Sequence, residues 1–236
     1  MEQMRINKYL SSIGIASRRE IDKMVEAKRI KVNGILATTG LQVSEKDKIE
    51  IDGKILEKKD TEKVYFILNK PKNVLSSAKD DRNRKTVVDL IKCNERIFPI
   101  GRLDYDTEGL ILLTNDGELF NRVIHPKAEI FKEYVAVVQG EVTEHEVMRL
   151  SRGILLDDGP TLPAKVKLLS KEKNRSEISI SIREGRNRQI RRMLKAIDHP
   201  VIFLKRVAVG KITLGDLKVG GYRKLTAQEL KYLQSI

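Results

Sequence analysis

The chain has 236 residues, 40% of them hydrophobic, and its 46 Lys and Arg against 33 Asp and Glu leave a formal charge of +13. That length and apolar content support a large domain, alone or with a small companion, and exclude wholesale disorder. The positive surplus points to a polyanionic partner, while no apolar run nears the ~20 residues that span a bilayer.

Helical spacing of Ile6, Leu10 and Ile13 predicts a first helix stopped at Gly14. Ser17-Arg18-Arg19-Glu20 reads as a capping box opening a second helix, with Ile21, Met24 and Val25 on its buried face. Ile30-Lys31-Val32 runs into Asn33-Gly34, a strong hairpin turn, and Ile49-Glu50-Ile51 alternates like a strand ending at Asp52-Gly53. Arg18 and Arg19 stand in the first turn of a helix, where the macrodipole disfavours cations. Either they lean into solvent or a bound phosphate offsets the repulsion; Lys28, Arg29 and Lys31 just downstream favour the phosphate. This helix–helix–hairpin segment resembles the S4 RNA-binding module, on the strength of Ala16 to Glu20 and Arg29 to Gly34.

Lys54 to Lys63 is dense in charge and free of Pro and Gly, and reads as a solvated linker. Domains over residues 1–60 and 61–236 are therefore expected. The larger one starts with a buried strand, Val64 to Asn69, ended by Lys70-Pro71. Residues 76–86 are polar and predict a mobile loop. Glu118 to His125 suits a short helix stopped by Pro126, and Tyr134 to Val138 a strand. Thr143 to Glu146 is a capping box whose helix closes at Gly153, Glu177 to Ile182 alternates as a half-buried strand, and Thr226 to Glu229 caps a final helix. Many strands with single interspersed helices predict an α+β fold: a mixed, mainly antiparallel sheet flanked by helices, after the small N-terminal module.

Two blocks carry chemistry. The first is Gly101-Arg102-Leu103-Asp104-Tyr105-Asp106-Thr107-Glu108-Gly109, directly before the apolar run Leu110 to Leu113 and the turn Asn115-Asp116-Gly117. Asp104 should sit on rigid scaffold at the rim of a core, beside Arg102, while Asp106, Glu108 and Asp116 read as ordinary turn or surface acids. The second block runs from Arg183 to Lys195 and holds six cations and one anion. Projected as a helix from Arg188, it puts Ile190, Met193, Leu194 and Ile197 on one face and Arg188, Arg191, Arg192 and Lys195 on the other. A solvated face normally mixes signs, so this stripe favours nucleic-acid contact. With no Trp and few aromatics the chain lacks a base-stacking platform, and folded RNA held by its phosphates fits best.

Three separated segments, Arg102-Leu103-Asp104 with Thr107 and Gly109-Leu110, then Lys132-Glu133-Tyr134, then Glu184 to Met193, resemble the motifs of RNA pseudouridine synthases. Within that family they are similar to the branch that carries an S4 module and modifies ribosomal RNA, nearest its large-subunit members. Lys70-Pro71 stands where the family has a Lys-Pro motif, but Asn73 replaces the family's Gly two residues on; Asn tolerates positive φ, so a similar turn is expected. The resemblance makes Asp104 the catalyst, acting as nucleophile on ribose or uracil or as the base that starts glycosidic cleavage. It makes Arg191 the cation paired with that carboxylate and Tyr134 the aromatic packed on the target base.

The same resemblance implies that Arg102 fills the space left by a flipped uridine. Arg186, Arg188 and Arg192 would hold flanking phosphates, with Lys70 and Gln189 among the RNA contacts and Arg18, Arg19 and Arg29 gripping RNA from the N-terminal module. An isomerisation needs no cofactor, and the residues agree. There is no Walker or dinucleotide fingerprint, and one Cys (Cys93) with three scattered His leaves no zinc spacing. A lone Cys and the lack of an apolar leader after Met1 suit a cytoplasmic protein. The expected partner is ribosomal RNA or a pre-ribosomal particle, with no membrane, bound by a monomer. The competing expectation is a non-catalytic RNA-binding assembly or translation factor built on the S4 module.

Overall fold

A computed structural model describes residues 3–57 and 62–236. The chain divides into two compact units, residues 1–64 with 93–96 and 115–117, and residues 65–92 with 97–114 and 118–236.

In the first unit β1 (Met4–Arg5) leads into α1 (Ile6–Ser12), and α2 (Arg18–Glu26) follows. The hydroxyl of Ser17 accepts the Glu20 N–H at 3.2 Å, one half of the expected capping box. Then come β2 (Ile30–Val32), β3 (Ile35–Leu36), β4 (Gln42–Val43), β5 (Ile49–Ile51) and β6 (Lys54–Ile55). Strand β4 pairs with β1, and the other four form a sheet in the order β3-β2-β5-β6. Ile6, Leu10, Ile21, Ile30 and Val43 are fully buried between the helices and the strands. Asn33 and Gly34 both take positive φ (53° and 85°), as a two-residue hairpin turn requires.

The predicted linker is shorter than expected. Asp52 and Gly53 form a second positive-φ turn (51° and 76°), which folds Lys54 and Ile55 back onto Ile51 and Glu50 as β6. Charge density alone hid that hairpin. Residues 58–61 of the linker lie outside the described residues.

The second unit opens with β7 (Tyr65–Lys70), β8 (Phe98–Ile100) and β9 (Glu108–Thr114), then α3 (Gly117–Ile124), β10 (Lys132–Gln139) and α4 (Glu144–Arg152). A small hairpin, β11 (Leu155–Leu156) and β12 (Gly159–Pro160), precedes β13 (Lys165–Glu172), β14 (Arg175–Ile182) and α5 (Gln189–Lys195). The unit closes with β15 (Val201–Val209), β16 (Ile212–Thr213), β17 (Tyr222–Lys224) and α6 (Ala227–Gln234). One sheet runs in the order β13-β14-β10-β15-β9-β7-β17, with β16 on β15 and β8 on β9. Among the described residues the β15–β9 pair is the one parallel pair of this sheet, which is therefore mixed and mainly antiparallel.

Leu110 to Leu113 are buried on both faces of β9, which explains why the run is continuously apolar rather than alternating. Leu110 and Leu112 join Ile67, Leu119, Val123 and Leu233 in one core cluster. Reciprocal capping boxes form at Thr143/Glu146 and Thr226/Glu229, as their spacing predicts. The polar loop 76–86 is internally tied rather than open. Asp80 accepts from the N–H groups of Arg82 and Arg84 and pairs with the Arg84 guanidinium at 2.8 Å, and Leu75 bridges to Thr86.

Candidate active site

Asp104 lies in the loop that joins β8 to β9, and the antiparallel pairing of those strands (Ile100 opposite Leu112) fixes both ends of that loop. Inside it the Thr107 N–H bonds the Asp104 carbonyl at 3.1 Å, and Leu103 exchanges bonds of 2.8 and 3.0 Å with the Ser76 hydroxyl. Asn73 takes φ 62° and donates its N–H to the Tyr105 carbonyl at 2.8 Å, so the expected positive-φ turn forms with Asn in place. Gly109 has φ 113°, and a Cβ there would clash with the Arg206 carbonyl and lie 2.6 Å from its nitrogen. Only glycine lets β15 close against β9 at this level.

Arg188 and Arg191 both stand on the loop, though not in the pairings the sequence suggests. Arg102 is exposed and makes no ion pair among the described residues. The side chain that reaches Asp104 is Arg188, at 4.0 Å, with the Asp104 side chain about a quarter exposed. Arg188 also grips Asp106 through two bonds of 3.0 and 2.9 Å. Arg191 likewise stands on the loop. Its Nη2 donates to the Asp106 carbonyl at 3.0 Å and to Thr107 Oγ1 at 3.3 Å, and it lies 3.4 Å from the Asp106 carboxylate. The expected Arg191–Asp104 pair is thus replaced by contacts with Asp106, and the Arg191 Nε is buried without a partner. Burial lowers the Arg191 pKa, while Asp106 and, more weakly, Asp104 oppose that. Asp106, expected to be an ordinary turn acid, is held below the usual carboxylate range, first by its bonds to Arg188 and against burial.

Lys70 is completely buried rather than free to meet RNA. Its ammonium donates to the Thr107 carbonyl at 2.9 Å and the Pro71 carbonyl at 3.0 Å, bracing the loop from below. Burial pushes its pKa down to about 8, against the opposing pull of Asp104, Asp106 and Glu108. Tyr134, on β10, is buried, with its hydroxyl 3.5 Å from Nη1 of Arg206. Arg206 was invisible to motif reasoning. The local signal is a pair of cations, Lys205 and Arg206, inside an otherwise apolar β15 strand, and nothing in it says which of the two turns inward.

The basic block forms the predicted helix. Ile190, Met193, Leu194 and Ile197 are buried, and Arg188, in a left-handed conformation (φ 48°), caps it at the front. Its charge is less one-sided than expected, because acids distant in sequence face it. Arg192 closes a two-bonded pair on Asp158 at 2.8 and 2.9 Å, and Arg186 reaches Asp158 at 3.3 Å, Glu184 at 3.2 Å and the Gly159 carbonyl at 2.9 Å. Arg192, aided by Arg186, holds Asp158 down to about 2. Gln189 is buried, its oxygen accepting the Arg186 N–H at 3.1 Å and its amide turned to Glu184, so it braces the loop rather than facing RNA.

In the first unit Arg18 and Arg19 are exposed at the start of α2, without side-chain partners among the described residues. Arg29 is not free, since Asp52 takes its guanidinium at 2.8 and 2.6 Å. Among the described residues, no group of three or more His, Cys, Asp or Glu side chains is disposed to hold a metal, and no helix is long and apolar enough to cross a membrane.

The site thus joins a basic helix to a loop that carries an aspartate, with a buried tyrosine alongside, in a sheet domain that follows a small two-helix module in the chain. Residues 64–196 match the RNA pseudouridylate synthase family model and residues 4–58 the S4 domain model, and the chain belongs to the RNA pseudouridylate synthase family. It is an RNA pseudouridine synthase, an isomerase.

The chain is 48% identical to ribosomal large subunit pseudouridine synthase B of Bacillus subtilis (strain 168), over 98% of this chain and 96% of that protein. It is 36% identical to a dual-specificity RNA pseudouridine synthase of Escherichia coli (strain K12), over 96% of this chain and 77% of that one. A crystal structure of a pseudouridylate synthase superposes with a TM-score of 0.71 at 31% identity, covering 98% of this chain and 99% of that one.

Proposed function

We propose that this enzyme converts a uridine of large-subunit ribosomal RNA into pseudouridine, with Asp104 as the catalytic carboxylate. The observation that carries the proposal is the setting of Asp104. It stands on a loop fixed at both ends, faced by Arg188 at 4.0 Å, with Arg191 docked on the same loop. The choice of substrate rests on the relative named for the large ribosomal subunit, 48% identical over nearly the whole chain.

In the reaction the N1–C1′ bond breaks, the uracil turns, and a C5–C1′ bond forms. The C5 proton leaves and N1 gains one, so atoms balance with no cofactor. Asp104 starts the sequence, with the Arg188 guanidinium 4.0 Å away to stabilise charge that develops on the loop. Arg191, docked on the same loop through the Asp106 carbonyl, is the cation that stabilises charge developing beside Asp104. Tyr134 packs on the flipped base and assists loss of the C5 proton. Flipping costs a few kcal/mol, which phosphate contacts offset. Arg188, with Arg18 and Arg19 on the N-terminal unit, supplies those contacts, while exposed Arg102 fills the space that the uridine leaves. Arg186 and Arg192 join them by exchanging Asp158 for phosphate. The partner is ribosomal RNA, free or within a pre-ribosomal particle, and the setting is the cytoplasm.

Carbodiimide mapping of pseudouridine in ribosomal RNA from cells with and without this chain tests the substrate. One large-subunit site should vanish without it, returning with the wild type but not with Asp104→Ala. An unchanged large-subunit map would overturn that choice.

A further inference from the structure

Arg206 sits on β15 directly opposite Tyr134 of β10 and in register with Gly109 of β9. Its relative exposure is 4%, and none of its hydrogen-bond partners is a carboxylate. A cation buried without an anion is costly, so what it bonds indicates why it is there. Its Nε donates to the Leu110 carbonyl at 2.7 Å. Its Nη1 lies 3.4 Å from the Arg102 carbonyl and 3.5 Å from the Tyr134 hydroxyl. Arg102 and Leu110 bracket the Asp104 loop, so one planar guanidinium spans both ends of that loop and the tyrosine beneath it.

The backbone beneath Arg206 has no slack. The missing side chain at Gly109 lets the strands close at that level, which fixes where the guanidinium begins. Nη2 finds no partner among the described residues, so Nε and Nη1 alone span the loop and Tyr134. Five N–H groups in one rigid plane suit such bridging in a way that a lysine ammonium on a flexible stem does not.

We propose that Arg206 is a positioning residue of the reaction, setting Tyr134 at a fixed distance from the Asp104 loop. The inference rests on the proposed role of Asp104.

The test uses the full chain and ribosomal RNA, with Arg206→Lys, Arg206→Met, Tyr134→Phe and both double variants. Turnover, KM, RNA affinity and melting temperature are measured for each. Arg206→Met should lower kcat by about 100-fold, the scale of a misplacement near 1 Å, while KM and affinity stay close to wild type. Arg206→Lys should fall between. Adding Tyr134→Phe to either Arg206 variant should cost much less than it costs the wild type, because the two act as a unit.

Independent, multiplying losses, or losses that follow only the folded fraction, would overturn the inference. If Arg206→Met fails to fold, the Arg206→Lys and Tyr134→Phe pair still decides. A fully active Arg206→Met beside an inactive Asp104→Ala would sink the positioning role alone, whereas an active Asp104→Ala would sink the site reading itself.

Discussion

Arg188 holds Asp106 through two hydrogen bonds of 3.0 and 2.9 Å yet stands 4.0 Å from Asp104, its neighbour but one. The acid beside the candidate catalyst therefore occupies the guanidinium that a phosphate would use. Asp106→Asn weakens that internal competitor. Exposed pairs of this kind are worth about 0.2–1 kcal/mol, so RNA affinity should rise by a factor of about 1.4 to 5. The salt dependence should steepen as a further phosphate contact forms. Filter binding across a salt series checks this, and unchanged affinity with an unchanged slope would mean that Arg188 does not meet phosphate.

Arg188 and Arg191 should separate in kinetics. Arg191 is largely buried on the Asp106–Thr107 backbone, whereas Arg188 is about half exposed. Arg191→Ala should cut turnover by about 100-fold with a small change in affinity, on the scale of losing one aimed charge donor. Arg188→Ala should chiefly weaken binding and flatten the salt dependence. Single-turnover rates and binding curves for both variants decide, and the reverse pattern would exchange their roles.

Lys70 gives a pH signature. Its folded-state pKa, about 8, lies below the ordinary 10.5. Between those values the unfolded chain keeps a proton that the folded chain has lost, so this group makes stability rise with pH. Below about 8 both states are charged and the full cost of the buried ammonium is present. Lys70→Met should remove that rise, which melting temperatures from pH 7 to 10.5 would reveal as a flatter profile. It should also slow turnover, because the Thr107 carbonyl loses its brace. An unchanged slope would mean that Lys70 is not the titrating group.

Gly109→Ala should be severe for a steric reason rather than a chemical one. The added methyl meets the Arg206 backbone at a φ of 113°. A loss of more than about 2 kcal/mol, seen as a fall in melting temperature of about 5 °C or more, is expected. A variant as stable as wild type would show that β15 and β9 can part at this level.

How far the sequence could be read depended on the reach of each interaction. The place of Asp104 on a loop ahead of a buried strand, the capping boxes at Thr143 and Thr226 and the buried face of α5 are legible because each depends on spacing within a few residues. The partners of the basic block were not. Asp158 lies 28 residues from Arg186 and 34 from Arg192 and meets them only because of where the β11–β12 hairpin sits. Lys70 reads as an RNA contact through the resemblance of Lys70-Pro71 to a family motif, and nothing local announces that its ammonium is enclosed by two carbonyls. Arg29 looked free until β6 turned out to follow the turn that carries Asp52. Arg206 belongs to no charge cluster, and its value emerges only from the register of three strands.

Tritium release from ribosomal RNA labelled at C5 of uridine tests the central claim most directly, comparing wild type with Asp104→Ala. The expected result is release by the wild type and none by Asp104→Ala, with RNA affinity retained by both. Release by Asp104→Ala at a rate near that of the wild type would contradict the role assigned to this carboxylate.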